Sequence, residues 1–305
     1  MAPAPRAGHM DVSNTVDVTD PRAVASAVRA IMEQRYRGVD FAIVDLLVQD
    51  FNRLYSGDYP GFRACDIKYH DSQHVLDVTL AMARLLDGYE GSSPGRDLGP
   101  ERALAGIATA LFHDSGYIRR TRDTRNSNGA AYTRVHVGRS ARFLGEYLPS
   151  VGLADLLGIC TRIVFYTGYD LDLIPPACRA DPSEHRLGTL LGTADLIAQM
   201  ADVDYVRKCR DHLYEEFVAG GIAGEEGRYA ADRTVYRSAD HLLESTPDFI
   251  RGVISDRLED RFDGVYRYAG DFFGGPNLYM DSILHNCERL ETMLSGERLG
   301  SVGMS

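Results

Sequence analysis

Apolar residues recur along this chain at helical spacing, and sustained strict alternation is absent. Val24, Val28 and Ile31 mark the inner face of a first helix, which Asp20-Pro21 opens with a capping carboxylate and a proline at the first helical position. Phe41, Val44, Leu47 and Phe51 mark a second over about 38–55, broken by the Gly-Asp-Tyr-Pro-Gly run at 57–61. A third begins near Tyr69 and continues into Leu86. The most apolar helix is predicted over 103–117, with Leu104, Ile107, Ala108 and Leu111 at helical spacing, Gly99-Pro100 as its start and Gly116 as its stop. Further helices are predicted at about 133–148, 152–166, 184–201, 203–219, 230–244, 248–269 and 276–294, with Thr246-Pro247 as a start signal. Residues 91–95 read as a loop, and the polar stretch 118–131, with Arg119, Arg120, Arg122 and Arg125, reads as a connection long enough to carry function.

The pattern predicts an all-α fold: a compact multi-helix bundle forming a single domain over 20–300, with a C-terminal helical layer from about 222. Residues 1–19 lack periodicity and are expected to form a disordered tail.

Charge narrows the partners. The 305 residues carry 33 Lys and Arg against 44 Asp and Glu, a net −11, which disfavours nucleic-acid polymers and anionic membranes. A small phosphorylated substrate held by local cations stays open. No apolar run approaches the ~18 residues of a membrane span, and no signal peptide is visible. Cys65, Cys160, Cys178, Cys209 and Cys287 are widely spaced with no CxxC, so buried thiols and a cytoplasmic location are expected.

Candidate chemistry lies where polar residues interrupt apolar helices. His74, His113, Asp114 and Asp195 each do so. A buried imidazole or carboxylate costs free energy unless a cation or donor meets it. Taken singly, each is a core polar group satisfied by a neighbour. Together, on three helices, they form a set that a bundle can converge on one or two divalent ions: Mn, Fe, Co, Ni, Zn or Mg. His70 precedes His74 by four residues and so shares its helix face, where a general acid or base would be useful and a helix cap is the plain alternative. His136 is a further candidate for a second metal or the substrate, or a hydrogen-bonded residue of a first helical turn. Arg119 and Arg120 are candidates for phosphate binding, or members of a charged loop. Arg139 and Arg142 read as a solvated face.

The series His74, His113-Asp114, Asp195 resembles the H…HD…D signature of the HD-domain superfamily of metal-dependent phosphohydrolases. Tyr69-His70-Asp71-Ser72-Gln73-His74-Val75-Leu76-Asp77-Val78 is similar to the Y-H-N-x-x-H-A-x-D-V motif of class I cyclic-nucleotide phosphodiesterases, and Asp195 with Leu213-Tyr-Glu-Glu-Phe-Val-Ala-Gly-Gly221 is similar to their D…E-E-F…G segment. The likeness covers about residues 65–221. It implies that His74, His113, Asp114 and Asp195 ligate a first metal, that Asp114 bridges to a second, and that His70 protonates the leaving oxygen. Some members bind the second metal through an additional His near the position of His136. Asp71 stands where those phosphodiesterases have Asn, and Tyr117 where they have a second His. Gln199 continues the Asp195 helix and is a poor match to their purine-selective Gln. The implied activity is hydrolysis of a small phosphomonoester or phosphodiester, with nucleotides and cyclic nucleotides among the candidates. An HD-fold di-iron oxygenase and a non-catalytic regulatory protein with a structural metal site are the alternatives.

Overall fold

The computed structural model describes residues 6–92, 98–224 and 236–302, with side chains described to residue 296. The other helices gather around α3 (Ser72–Ser92) and α8 (Pro182–Ala201). Both are apolar on nearly every side: Val75, Leu76, Val78, Leu80 and Leu85 of α3 and Leu187, Leu190, Leu191 and Ile197 of α8 are fully buried. A helix apolar all round belongs in the interior. Asp181 caps α8 by accepting from the Ser183 and Glu184 amides, and Pro182 occupies its first position.

Around this pair lie α1 (Pro21–Arg35), α2 (Ile43–Ser56), α4 (Gly99–Phe112), α5 (His136–Ser150), α6 (Leu157–Ile163) and the short α7 (Pro176–Ala180). Next come α9 (Tyr205–Lys208) and α10 (Tyr214–Ala219), joined by a π-helical stretch over Cys209–Leu213. The C-terminal part consists of α11 (Ala239–Gly252), a second π-helical stretch over Val253–Arg261, α12 (Tyr268–Phe273) and α13 (Leu278–Val302). α12 packs on α3 and α13 on α8, so one hydrophobic cluster runs from Val18 to Leu290. Every named element is helical: the protein is all-α.

Several boundaries differ from the sequence expectation. The most apolar helix ends at Phe112, and the Asp114 backbone (φ −101°, ψ 6°) has already left the helical region. His70 lies before the first turn of α3, not on it. Pro247 sits inside α11 rather than starting a helix, because the chain runs through it into the π-helical stretch. Gly91 and Ser92, the start of the expected 91–95 loop, still belong to α3, while residues 93–95 and the 230–235 start of the expected 230–244 helix lie outside those described.

The expected tail needs a larger correction. Residues 6–19 are ordered: Val18 joins the core, and Asp11 is fully buried. Asp11 accepts the Ser13, Thr15 and Val16 amides and pairs with the guanidinium of buried Arg84 at 2.5 Å. Arg84 also donates to the Tyr279 hydroxyl at 2.9 Å and lies over the Phe273 ring. Polar composition hid this, because one carboxylate satisfied by several donors holds the segment without an apolar period. Burial opposes ionisation of Asp11, but Arg84 and the hydroxyl and amide donors outweigh it and hold the carboxyl down at about 2. The folded value is depressed, so its contribution is present above the unfolded carboxylate range and lost as pH falls toward 2. Asp11→Ala leaves a buried guanidinium uncompensated and is expected to destabilise by ~3–5 kcal/mol. Thermal melts of wild type and variant should converge as pH drops from 4 to 2. A constant gap would show that Arg84 is not the cause.

No helix among the described residues is long and apolar enough to cross a membrane. All five cysteines are free, four of them buried.

Candidate metal centre

α3, α4 and α8 end their polar residues at one point. α3 contributes His74 from its first turn, the chain leaving α4 contributes His113 and Asp114, and α8 contributes Asp195. His74 Nε2 lies 3.5 Å from Asp114 Oδ2 and 3.3 Å from Asp195 Oδ1. His113 Nε2 lies 3.3 Å from Asp114 Oδ2 and 3.6 Å from Asp195 Oδ1. His74, His113 and Asp114 offer ligand atoms that all lie within 4.8 Å of one another. The two carboxylates therefore alternate with the two imidazoles around a common centre.

The hydrogen bonds fix which atoms face that centre. His113 Nδ1 lies 2.8 Å from the Ala110 carbonyl, which can only accept. The proton is then on Nδ1, and a neutral His113 presents a lone pair at Nε2. His113 Nε2 and Asp114 Oδ2 are both buried without a hydrogen-bond partner. Two orphaned acceptors in an apolar bundle are costly unless a cation lies between them. The set fits a divalent ion by this test: its donors are imidazole nitrogen and carboxylate oxygen, and ligands about 2.0–2.2 Å from a metal lie about 3–3.5 Å from one another.

Without a cation, a proton takes its place. Burial opposes charge on His113, but Asp114 and Asp195 raise its pKa well above the ordinary imidazole range. Burial likewise opposes ionisation of Asp114 and Asp195, and the neighbouring imidazoles hold both well below the usual carboxylate range. A binding metal would therefore displace this proton into solvent.

Asp114 has a second side. His136, the first residue of α5, points Nε2 at Asp114 Oδ1 from 3.6 Å, while its Nδ1 lies 2.7 Å from the Thr133 carbonyl. Burial lowers its pKa, which keeps the imidazole neutral. α5 comes this close because residue 116 is glycine: a Cβ there would collide with the His136 backbone carbonyl. Gly116 is thus a close-approach position rather than a helix stop.

Next to His136, Tyr117 forms the middle layer of a stack. Its ring lies 4.4 Å from His136 at 15° and 4.6 Å from His70 at 20°. His70 reaches the site from the loop before α3, its ring centroid 5.9 Å from that of His74. His70 Nδ1 lies 2.7 Å from Glu216 Oε2, and Glu216 Oε1 accepts the Tyr69 amide. Burial works against the charged form of His70, yet Glu216 and then Asp114 push its pKa up to about 9.

Glu216 had no assigned role in the sequence. It stands beside exposed Glu215 in a polar segment 146 residues from its partner, so spacing gives no clue to the pairing. The signal was only its place in the E-E-F segment. Gln199 accepts from the Tyr69 hydroxyl at 3.1 Å.

Arg119 and Arg120 make their polar contacts away from His74, His113, Asp114 and Asp195. Arg119 forks onto Asp66 and donates to the Asn126 carbonyl, and Arg120 pairs with Glu146 over the Phe62 ring. Both guanidiniums are committed to protein partners that fasten the 118–131 loop. Arg139 is not a solvated cation either: it donates to the Gly116 and Ile118 carbonyls beneath the Tyr132 ring.

The chain matches no family model and no curated protein.

Proposed function

We propose that this protein is a metal-dependent phosphohydrolase acting on a small phosphate ester, with an HD-type ligand set. The observation that carries the reading is the pair of orphaned, buried atoms, His113 Nε2 and Asp114 Oδ2, facing the same point as His74 and Asp195. A divalent ion held there supplies Lewis acidity, lowering the pKa of water toward neutrality and neutralising phosphoryl oxygens. His74, His113, Asp114 and Asp195 would hold it, and the Ala110 carbonyl orients His113. Asp114 Oδ1 and His136 Nε2 offer a second position, so Asp114 would bridge.

His70 is the proton donor in this reading. Its Nδ1 is engaged with Glu216, which leaves Nε2 for the leaving oxygen. Glu216 keeps the imidazole charged near neutral pH and fixes its ring, and Tyr117 holds its face.

The test is reconstitution. Metal-free protein is loaded with Mn, Fe, Co, Ni, Zn or Mg and assayed against phosphomonoesters, phosphodiesters and cyclic nucleotides. Turnover with at least one metal is expected, removed by a chelator. Removing the metal should also lower the melting temperature by several degrees, since a ligand at about a hundredfold over its Kd stabilises by about 2.7 kcal/mol. Stoichiometric metal with no turnover across the panel would defeat the hydrolase reading. Oxygen consumption by anaerobically iron-loaded protein would replace it with the oxygenase.

A further inference from the structure

Arg257 is a cation in search of an anion. It sits in the π-helical stretch Val253–Arg261, a conformation found disproportionately at functional sites. Its side chain is folded inward. Nη2 donates to the Gly168 carbonyl, Nη1 lies 3.4 Å from the Tyr169 carbonyl, and the guanidinium lies 5.6 Å from the centre of the Phe262 ring. Nε is buried with no partner. Among the described residues no carboxylate reaches ion-pair distance of it. This half-buried guanidinium is held by carbonyls and an aromatic face, with no carboxylate counter-ion among the described residues.

Its position explains what that counter-ion would be. Buried Phe262 packs against α8 at Gly192, where an added Cβ would stand 2.8 Å from the ring. Gly192 is one turn before Asp195, so the ring beneath Arg257 lies against the same helix, one turn from a proposed metal ligand. Burial disfavours the charge on Arg257, and the Asp195 carboxylate is the strongest influence sustaining it. Asp195 is already committed to the two imidazoles.

We infer that Arg257 binds a phosphoryl oxygen of the substrate beside the metal centre, so that the ligand of this site is an anion presenting one oxygen to the metal and another to the guanidinium. The inference rests on the phosphohydrolase reading and narrows it: it selects anionic substrates over neutral ones. Arg suits the task because its planar fork matches phosphate oxygens in pairs. Arg119 and Arg120, the sequence candidates, are already spent on Asp66 and Glu146.

The experiment uses the full chain loaded with Co²⁺, whose visible absorption reports the site, titrated with inorganic phosphate. Wild type should bind phosphate. R257Q should take up the same cobalt but bind phosphate on the order of 10- to 100-fold more weakly, the effect of losing a charged hydrogen bond. R257K, which keeps the charge without the fork, should fall between. R257Q binding phosphate as tightly as wild type would overturn the inference and leave Arg257 as a fastener of the 168–169 corner. If R257Q fails to fold, R257K decides: weaker phosphate binding at unchanged cobalt content sustains the inference, and wild-type affinity overturns it. Failure of the parent reading looks different, because wild type itself then takes up no cobalt and Asp114→Asn behaves like it.

Discussion

Asp114→Asn should lose bound metal and fall to background turnover. The substitution keeps the shape of the side chain but removes the charge that faces His74 and His113 through Oδ2 and His136 through Oδ1. A single change therefore damages both positions of the site. Removing one partner from a buried charge cluster also costs about 3–5 kcal/mol, so stability alone does not separate a metal centre from an ion-pair network. The metal-dependent part does. In a metal centre, added metal raises the melting temperature of wild type and does nothing for the variant. In a network, the variant melts lower by the same margin with or without metal. Wild-type metal content in Asp114→Asn, measured by elemental analysis, would remove the assignment.

His70→Ala should retain its metal and lose rate, by ~10²–10⁴-fold for an alkyl leaving group. The loss should shrink for a nitrophenyl ester, which departs without a proton. Glu216→Gln tests the same dyad through its other half. His70 has its pKa raised to about 9 because Glu216 and Asp114 outweigh burial, so the rate should fall as pH rises through that limb. A cation at the four ligands draws the limb toward neutrality, and Glu216→Gln should draw it lower still. Equal slowing of both ester types by His70→Ala would mean that His70 positions substrate instead of donating a proton. Loss of metal in that variant would make it a ligand, despite an Nδ1 already held by Glu216.

The residues that converge at the centre were legible because each is a polar interruption of an apolar helix, and the register of α3 and α8 can be read from their apolar runs. His113 and Asp114 were found even though the helix stops before them, since the stop is only one residue away. Three features were not legible, each for its own reason. Glu216 reaches His70 across 146 residues from a segment rich in charge. Arg257 stands in Asp256-Arg257-Leu258-Glu259-Asp260-Arg261, where a half-buried cation looks like any solvated one. Asp11 is anchored by donors rather than by apolar spacing, so a periodicity reading leaves its segment loose.

The two π-helical stretches have a consequence for comparing this chain with others. A wide turn holds more residues than an α-turn over a similar rise, so each stretch carries residues that an ordinary α-helix of the same rise would lack. One lies just before Glu216 and the other contains Arg257. An ungapped alignment that passes through Cys209–Leu213 or Val253–Arg261 against an ordinary helix therefore slips by about 100° around the axis for each unmatched residue. The apolar core around α3 and α8 would still superimpose, while the Glu216 carboxylate behind His70 and the Arg257 guanidinium would be matched to residues on the wrong side of the helix. Kinship to shorter chains is best sought with a gap permitted at each of these turns.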